Sequence, residues 1–346
     1  MKKKIIVDCL GGDNGMDAVA AGAMLAIERN ANVDLILIGE QRIMKPKFDE
    51  WLAVKGNEKY AERFEIVNAV KNMPYDEEPI MAVRHNPDSS MMIGIERLKS
   101  DDDCGCLVSA GSTGALLTGS YLKIGRIDGV SRPALCPSLP TKDGAGVLLI
   151  DCGANTECKV ENLIHFAIMG AEYKKLSGIN SPRIGLLNNG TEETKGNELA
   201  RNTFAELKRL HGKGQINFVG NIEARDIFNG VCDVLVTDGW TGNILLKTVE
   251  GSTSFTFSQV KKVLSSGILS KIAALLVGKK MKKVKKRYSE ETSGGAIFIG
   301  LNKPVIKAHG NSNADAISSA ILYAHSVMDI NLADKISEKI KGVQYG

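Results

Sequence analysis

The feature that most constrains this chain is a regular alternation between short apolar runs and longer segments of helical periodicity. Each run is rich in Val, Ile and Leu, which is typical of β-strands. The runs are 5–7, 35–38, 64–67, 107–109, 147–150, 184–187, 216–219 and 234–237. A continuously apolar run such as 147–150 indicates a strand covered on both faces. The sequence therefore predicts an α/β fold, with a mostly parallel sheet and helices on both faces.

Four predicted loops carry glycine and small polar residues where a strand gives way to a helix. They are residues 109–114 (SAGSTG), 188–197 (NNGTEETKGN), 237–243 (TDGWTGN) and 309–314 (HGNSNA). Such loops direct backbone N–H groups and a helix N-terminus at an anion. Ligands of open α/β sheets bind at the carboxyl ends of the strands, where these loops lie. Four of them in one chain indicate a site for phosphate-like charge.

The composition is that of a globular protein, with 43% hydrophobic and 24% charged residues among 346. Residues 1–8 lack the apolar segment of a signal peptide, and no apolar run reaches the roughly 20 residues that span a bilayer. We therefore expect a cytoplasmic protein. The net charge of +4 is too small to indicate a nucleic-acid partner.

The cysteines and nucleotide-binding motifs narrow the function further. Seven cysteines are scattered without paired Cys-x-x-Cys motifs, so neither a zinc site nor a disulfide framework is expected. Cys9, Cys152 and Cys232 lie within or beside predicted strands and are expected to be small core residues. No Gly-x-Gly-x-x-Gly follows the first strand and no Gly-x-x-x-x-Gly-Lys-Ser/Thr occurs, so dinucleotide and P-loop sites lose their main support.

Two stretches lack clear periodicity. Residues 72–88 are rich in turn-forming residues and are expected to cover or edge the site. Residues 131–140, which contain three prolines, read as an irregular crossing between lobes. The chain is expected to be a single α/β unit over 1–346, and the sequence leaves open whether two lobes surround a central cleft.

Three side chains in the loops could carry chemistry. Lys195 is placed to reach a bound anion, although a surface lysine at a helix start is the ordinary alternative. Asp238 directly follows a strand and could act as a hydrogen-bond acceptor or base, or simply cap the next helix. His309 could hydrogen-bond a phosphate oxygen, and structural packing is its alternative.

Residues 251–287 form an unusual helical segment. Five apolar residues recur at helical spacing and are followed by residues 279–287, which hold seven basic residues in nine. The five are Ile268, Leu269, Ile272, Leu275 and Leu276. This pattern fits a membrane-surface element or a docking surface for an acidic partner. The alternative is a core or dimer-interface helix followed by a solvated charged face.

Seven short motifs, taken together and in order, carry a family resemblance. They are residues 8–13 (DCLGGD), 88–91 (DSSM), 109–115 (SAGSTGA), 139–142 (LPTK), 151–155 (DCGAN), 236–243 (VTDGWTGN) and 309–314 (HGNSNA). The chain resembles the bacterial phosphate acyltransferases of phospholipid synthesis, from residue 5 to about residue 325. These enzymes are acyl-[acyl-carrier-protein]:phosphate acyltransferases.

The resemblance implies an α/β fold like that of isocitrate and isopropylmalate dehydrogenases and of phosphotransacetylase, assembled as a homodimer. It also implies the reaction, in which acyl carrier protein thioester and inorganic phosphate give acyl phosphate and free carrier protein. A downstream membrane glycerol-3-phosphate acyltransferase would receive the acyl group. Because phosphate is already a nucleophile at neutral pH, neither a metal nor another cofactor is expected.

The resemblance also suggests roles for the site residues. Lys195 would neutralise phosphate or the thioester oxyanion, Asp238 would orient phosphate or accept its proton, and His309 would lie nearby. The expected phosphate- or substrate-binding residues are Asp8, Gly11, Gly12, Ser109, Gly111, Ser112, Thr113, Gly114, Asn155, Asn189, Gly239, Thr241, Gly242, Asn243 and Asn311. The chain departs from the family at Asn14, where histidine is common, and at residues 84–87, which keep only part of a usually basic stretch.

For residues 251–290 the resemblance implies a helical hairpin that contacts the membrane peripherally through its tip, residues 268–277. The basic run would face anionic lipid or receive acyl carrier protein, and both options stay open. Three other functions remain to be distinguished. They are a phosphotransacetylase-type enzyme using acyl-CoA, a metal- and NAD-dependent dehydrogenase, and a non-catalytic membrane scaffold for lipid-synthesis enzymes.

Overall fold

The computed structural model describes residues 3–288 and 294–343. Its strands are β1 (Lys4–Asp8), β2 (Leu35–Gly39), β3 (Phe64–Asn68), β4 (Cys104–Ser109), β5 (Ala134–Cys136), β6 (Ser138–Leu139), β7 (Val147–Ile150), β8 (Arg183–Asn188), β9 (Asn217–Glu223), β10 (Val234–Val236), β11 (Ala296–Ile299) and β12 (Val305–Lys307). Its α-helices are α1 (Gly15–Arg29), α2 (Gln41–Leu52), α3 (Pro79–His85), α4 (Ser90–Ser100), α5 (Thr113–Lys123), α6 (Val160–Leu176), α7 (Glu198–Gly212), α8 (Gly239–Leu264), α9 (Ile268–Tyr288), α10 (Ala314–Val327) and α11 (Leu332–Lys341). All eight predicted strands are confirmed, with bounds that differ by a few residues.

The strands form two sheets. The larger sheet has seven strands in the order β3-β2-β1-β4-β12-β11-β5, and only β11 runs antiparallel to its neighbours. The smaller sheet has five strands in the order β6-β7-β10-β8-β9, with β6 antiparallel to β7 and the other pairs parallel. The carboxyl ends of β1, β4 and β12 are therefore neighbours in one sheet, and those of β7, β10 and β8 are neighbours in the other.

The larger sheet is buried on both faces, as its continuous apolar strands predict. Along β1, Ile5 and Val7 belong to the apolar cluster that contains α1 and α10, whereas Ile6 belongs to the cluster that contains α4. All three side chains are at most 1% exposed. Alternation of this kind follows from the two-residue period of a strand, which sends successive side chains to opposite faces.

One cluster of buried apolar residues extends through both sheets. It contains Val7 and Val108 from the larger sheet together with Ile150, Ile184 and Val234 from the smaller one. The two sheets therefore contribute to one apolar core, and the organisation of the chain as a single α/β unit stays a prediction.

The crossing at 131–140 joins the two sheets, and it is more regular than the sequence indicated. Residues 134–136 pair with β11 as an edge strand of the larger sheet, and residues 138–139 pair with β7 in the smaller one. Prolines at 133 and 137 flank β5, and proline normally weakens a strand prediction. The strand β11 was also missed, although its sequence AIFI is apolar.

Helices α8 and α9 form a helical hairpin that contains the predicted segment 251–290, of which 289 and 290 lie outside the described residues. Along α8 only Gly239 and Gly242 are buried, both at its N-terminal end. Leu275 and Leu276 of α9 are 83% and 78% exposed. The side chains of the other three predicted contact residues, Ile268, Leu269 and Ile272, lie outside the described part of the structure. None of the described helices has the length and hydropathy needed to cross a membrane.

The cysteines behave as core residues. All seven are free thiols, and all except Cys158 are buried. Burial raises the pKa of the Cys152 and Cys232 thiols to about 12, and burial together with the charge of Asp8 raises the pKa of Cys9 well above its ordinary value. A thiolate nucleophile is therefore disfavoured at these positions at neutral pH, in agreement with the predicted packing role.

Candidate active site

The carboxylate of Asp8 at the end of β1 anchors the neighbouring elements. Its two oxygens accept hydrogen bonds from the hydroxyls of Ser90 and Ser109, each at 2.6 Å. The Ser109 hydroxyl in turn accepts the N–H of Gly111 at 3.1 Å. Asp8 and Ser109 are at most 2% exposed. Asp8 and Ser109, two predicted binding residues, are therefore buried and hold the neighbouring loops in place by hydrogen bonds.

Three loops of the larger sheet meet at its carboxyl edge. The N–H of Asp13 donates to the carbonyl of Gly310 at 2.7 Å. The amide of Asn14 donates to the side-chain oxygen of Asn311 and to the carbonyl of Ser312, both at 3.1 Å. Thus Asn14, at the position where the family commonly has histidine, positions the loop that follows β12.

Two glycines allow this close approach. A Cβ on Gly11 would lie 2.6 Å from the backbone nitrogen of Gly111, so any side chain would push the loops apart. Gly12 has φ +99°, a backbone conformation that disfavours other residues, and its N–H donates to the Tyr75 hydroxyl at 2.8 Å. The close packing of the loops therefore explains why glycine is needed at positions 11 and 12, which were predicted to bind substrate.

The N-terminus of α5 faces the open space above these loops. Ser112 caps the helix, and its hydroxyl accepts the N–H of Ala115 at 3.4 Å. The first amides of a helix have no carbonyl partner within the helix, and they carry partial positive charge. Ser112 and Thr113 therefore offer backbone donors suited to an anion.

Lys307, the last residue of β12, places a partly buried cation beside this helix end. Its ammonium donates to the carbonyl of Ala110 at 3.2 Å and to that of Ala308. Burial lowers the pKa of Lys307 from 10.5 to about 8, the nearby carboxylates of Asp13 and Asp8 raise it, and Lys247 lowers it slightly. Lys307 thus carries its charge near neutral pH in a position where an anion would relieve its desolvation.

The loop after β7 is organised by the buried carboxylate of Asp151. Its oxygens accept the N–H groups of Leu135, Cys152, Ala154 and Asn155, and the side-chain amide of Asn155 at 3.0 Å. Burial raises the pKa of Asp151 to about 6, and the hydrogen bonds oppose that rise. The amide of Asn155, a predicted binding residue, is therefore engaged within the protein.

Asp238 occupies the N-cap of α8. Its carboxylate accepts both the N–H and the hydroxyl of Thr241, each at 2.8 Å. Gly239 and Gly242 lie against the loop around Asp151, and a Cβ on Gly242 would overlap the Asp151 carbonyl oxygen. Asp238 and Thr241 therefore cap the start of α8. Gly239 and Gly242 allow the helix to pack closely against the loop around Asp151.

A cleft of about 840 Å³ opens between the two sheets, and we refer to it below as the cleft. Its lining comprises Asp13, Tyr75, 110–113, Leu135, 137–141, 144–146, Cys152, Gly153, Asn243, Leu246, Lys247, Val249, Glu250, Thr253, Gly295, Ala296, 307–310, Ser312 and Ala316. Tyr75, from the stretch 72–88, edges the cleft, and Pro79–His85 of the same stretch form α3 although the sequence showed no clear periodicity there.

The cleft contains part of the predicted site. The predicted residues that line it are Gly111, Ser112, Thr113, Asn243 and His309. His309 is exposed, and its Nδ1 accepts the N–H of Asn311 at 3.3 Å. Those outside its lining are Asp8, Gly11, Gly12, Ser109, Gly114, Asn155, Asn189, Lys195, Asp238, Gly239, Thr241, Gly242 and Asn311.

Lys195 lies in the exposed loop that follows β8. The carbonyl of Lys195 accepts the side-chain amide of Asn188 at 3.2 Å, and its N–H donates to the carbonyl of Glu192 at 3.1 Å. Asn189 of the same loop is also exposed. The catalytic roles of Lys195 and Asp238 stay predictions, because neither residue lines the cleft.

Sequence reasoning missed Lys307 and Lys247 as residues of the cleft. Lys307 directly precedes the loop 309–314, at a strand's carboxyl end, and that position was the available signal. Lys247 lies on the third turn of α8, and its ammonium is 2.8 Å from a carboxylate oxygen of Glu250. Among the described residues, no group of three or more His, Cys, Asp or Glu side chains is arranged to hold a metal ion.

Solved structures of similar fold include a EutD phosphotransacetylase from Staphylococcus aureus and a phosphotransacetylase from Streptococcus pyogenes. Both superpose with a TM-score of 0.58, at 16% and 18% identity. Each match covers 94% of this chain, with 94% of the first and 93% of the second. At this identity the likeness concerns the fold, and it confirms the predicted α/β class related to phosphotransacetylase.

Proteins of similar sequence identify the family to which this chain belongs. Residues 3–335 match the family described as "Fatty acid synthesis protein". The phosphate acyltransferase of Thermoanaerobacter pseudethanolicus is 41% identical over 98% of both chains. That of Lysinibacillus sphaericus is 42% identical over 99% of both chains. These nearly full-length matches show that the chain belongs to the phosphate acyltransferase family.

Proposed function

We propose that the chain transfers a long-chain acyl group from acyl carrier protein to inorganic phosphate, giving the acyl phosphate used in phospholipid synthesis. Phosphate oxygen attacks the thioester carbonyl carbon, the C–S bond breaks, and the carrier protein leaves as its thiol. Family membership supports acyl transfer to phosphate. The identity of the acyl donor as acyl carrier protein, and not another thioester, is the more specific part of the proposal.

The observation that carries this proposal is the combination of Lys307 with the N-terminus of α5 in one wall of the cleft. An ammonium with a lowered pKa and the first amides of a helix are separate sources of positive potential, and both belong to the loops joined by Gly11 and Asn14. Oxygen atoms of phosphate are the natural ligands of such a site. His309 lines the same wall and adds a ring nitrogen.

The arrangement accounts for catalysis through positioning and charge stabilisation. Holding phosphate in line with a thioester can contribute roughly 7–11 kcal/mol to lowering the barrier. Each fixed donor at the developing oxyanion adds about 2.7–4 kcal/mol. Lys307 and the amides near Ser112 can share these two tasks, whereas Lys195 is exposed and does not line the cleft.

The test is to incubate the purified chain with palmitoyl-acyl carrier protein and inorganic phosphate and to trap acyl phosphate with hydroxylamine. We expect phosphate-dependent hydroxamate, with much less product from acetyl-CoA. Equal turnover of acetyl-CoA would favour a phosphotransacetylase-type enzyme. A folded protein that gives no hydroxamate from either donor would contradict the proposal and favour a scaffold.

We also propose a homodimer and peripheral membrane contact. Trp240 and Ile244 lie on α8 with 63% and 51% of their surfaces exposed, which supports a protein partner on that face. Exposed Leu275 and Leu276 beside the basic run support contact with an anionic bilayer, where a glycerol-3-phosphate acyltransferase would receive the product. A single-chain mass in sedimentation equilibrium would contradict the dimer.

A further inference from the structure

One wall of the cleft is a continuous face of α8. Leu246, Val249 and Thr253 line the cleft at the spacing of one helical face, and they span about 10 Å along the axis at 1.5 Å per residue. The cleft is also lined by apolar groups of the crossing segment, including Leu139 and Pro140. Leu246 also packs against the apolar cluster that contains Leu139.

The polar residues of this wall other than Thr253 are Asn243, Lys247 and Glu250, and all three precede Thr253 along α8. Lys247 pairs with Glu250 at 2.8 Å, and its charge acts on the pKa of Lys307. Asn243, one turn earlier on α8, also lines the cleft and lies beside Gly153. The anion site is therefore near the start of α8, and Thr253 lies at the far end of the lining.

The same face continues beyond the cleft towards the hairpin. Phe257, Val260 and Leu264 follow Thr253 at intervals of four, three and four residues, and all three are half-buried. Such spacing keeps apolar side chains on one side of a helix. The face therefore runs from the charged residues Lys247 and Glu250, which also line the cleft, to the apolar residues of α8 that precede α9.

We infer that the acyl chain of the substrate lies along α8, from Leu246 past Thr253 to Phe257. A fully extended chain advances about 3.5 Å for every three bonds, so a palmitoyl chain spans roughly 18 Å. Leu246 and Phe257 are separated by about 16 Å along the helix. The inference rests on the proposed function, because it requires an acyl substrate whose reacting carbonyl is near Lys307.

This placement makes Thr253 a residue that discriminates between chain lengths. A hexanoyl chain ends before Thr253, whereas a palmitoyl chain passes it. Thr253→Trp places a large side chain across the path and leaves the reaction centre intact. The matched control is Ser252→Trp, since Ser252 is the adjacent residue, is exposed and does not line the cleft.

The first experiment compares kcat/KM for hexanoyl- and palmitoyl-acyl carrier protein. Thr253→Trp is expected to lower the palmitoyl value more than tenfold and to change the hexanoyl value less than twofold. Ser252→Trp is expected to change neither value by more than twofold. An unchanged palmitoyl value in Thr253→Trp, or equal losses for both donors at a wild-type melting temperature, would overturn the inference. If that variant does not fold, Thr253→Leu is used, with a smaller loss expected for palmitoyl alone.

The second experiment does not depend on turnover. The wild-type chain is photolabelled with palmitate that carries a terminal diazirine, and the labelled tryptic peptides are identified. We expect the label in the peptide 248–261, with competition by unlabelled palmitate and less label in Thr253→Trp. Label confined to other peptides would overturn the inference. Specific labelling of 248–261 in a protein that makes no acyl phosphate would reject the proposed function and retain the groove.

Discussion

At the residue scale, the structure separates two lysines that the sequence presents in similar surroundings. Both lie close to glycine-bearing loops at the carboxyl end of a strand. Lys195 is exposed in the loop after β8, whereas the Lys307 ammonium is held by the carbonyls of Ala110 and Ala308 in the wall of the cleft. The difference arises because Lys307 is itself the last residue of β12 and is paired with Ser109 of β4, whereas Lys195 lies seven residues beyond the end of β8.

Replacing Lys307 by methionine keeps most of the side-chain volume and removes the charge. A hydrogen bond to a charged group contributes about 1.5–3 kcal/mol, so the KM for phosphate should rise roughly 10- to 150-fold. The control is Lys195→Met, which makes the same chemical change outside the cleft and should leave that KM unchanged. The opposite result, with phosphate KM raised only in Lys195→Met, would support the sequence-based assignment instead.

The pH dependence of the wild type follows from the same side chain. Because burial lowers the pKa of Lys307 to about 8, the ammonium predominates below that pH and the neutral amine above it. Catalytic efficiency for phosphate should therefore fall as the pH rises through about 8. The pH profile of Lys307→Met should lack this fall, and a profile identical to that of the wild type would exclude Lys307 as its source.

At the scale of a single element, α8 has two distinct parts. Its first turn is seated tightly, because Gly239 and Gly242 contact the loop organised by Asp151. Further along, Gly251 has no atom within 4 Å of the position that a Cβ would take. The helix is thus fixed at the end nearest the cleft and exposed towards the hairpin.

Two glycine-to-alanine changes in α8 should have opposite effects on the free energy of unfolding. Gly242→Ala forces a methyl group into the Asp151 carbonyl and should destabilise the protein by about 1–3 kcal/mol. Gly251→Ala has room for the methyl group and should stabilise it by up to about 1 kcal/mol through helix propensity. Urea unfolding measures both values, and destabilisation of similar size in both variants would contradict this division of the helix.

At the scale of the whole molecule, the two sheets enclose the cleft while the hairpin carries exposed apolar and basic residues away from the shared core. Leu275 and Leu276 are more exposed than the other large apolar residues of the described chain. Burying a leucine side chain contributes about 1.5–3 kcal/mol, and each basic residue near an anionic bilayer adds about 1 kcal/mol. These contributions together are sufficient for reversible membrane binding.

The double variant Leu275→Asp, Leu276→Asp should reduce flotation with phosphatidylglycerol-containing vesicles more than tenfold, because it removes apolar contact and adds negative charge. The matched control is Val54→Asp, Val70→Asp, at positions 57% and 72% exposed elsewhere on the protein, and it should float like the wild type. Undiminished flotation of the Leu275/Leu276 variant would contradict membrane contact through this part of α9. Comparing vesicles of neutral lipid shows whether the basic run contributes.

The sequence by itself determined the local parts of this protein. The eight predicted strands and the helix-starting loops at 112 and 238 follow from periodicity and capping, which depend on neighbouring residues. The ordered motifs from residues 8 to 314 were sufficient for the family, because their sequence and spacing are specific even though each is short. The short strands β5, β6 and β11 were missed, β5 because prolines flank it.

Only the tertiary structure decided which loops share a site. The loops at 109–114 and 309–314 meet because β4 and β12 are adjacent in the sheet, although about 200 residues separate them in the chain. The same pairing buries Lys307 beside Ala110 and gives it a lowered pKa, whereas the hydrogen bonds of Asp8 and Asn155 turn two predicted ligands inward. Charge, burial and direction at a site depend on contacts between distant segments, and local sequence patterns do not contain them.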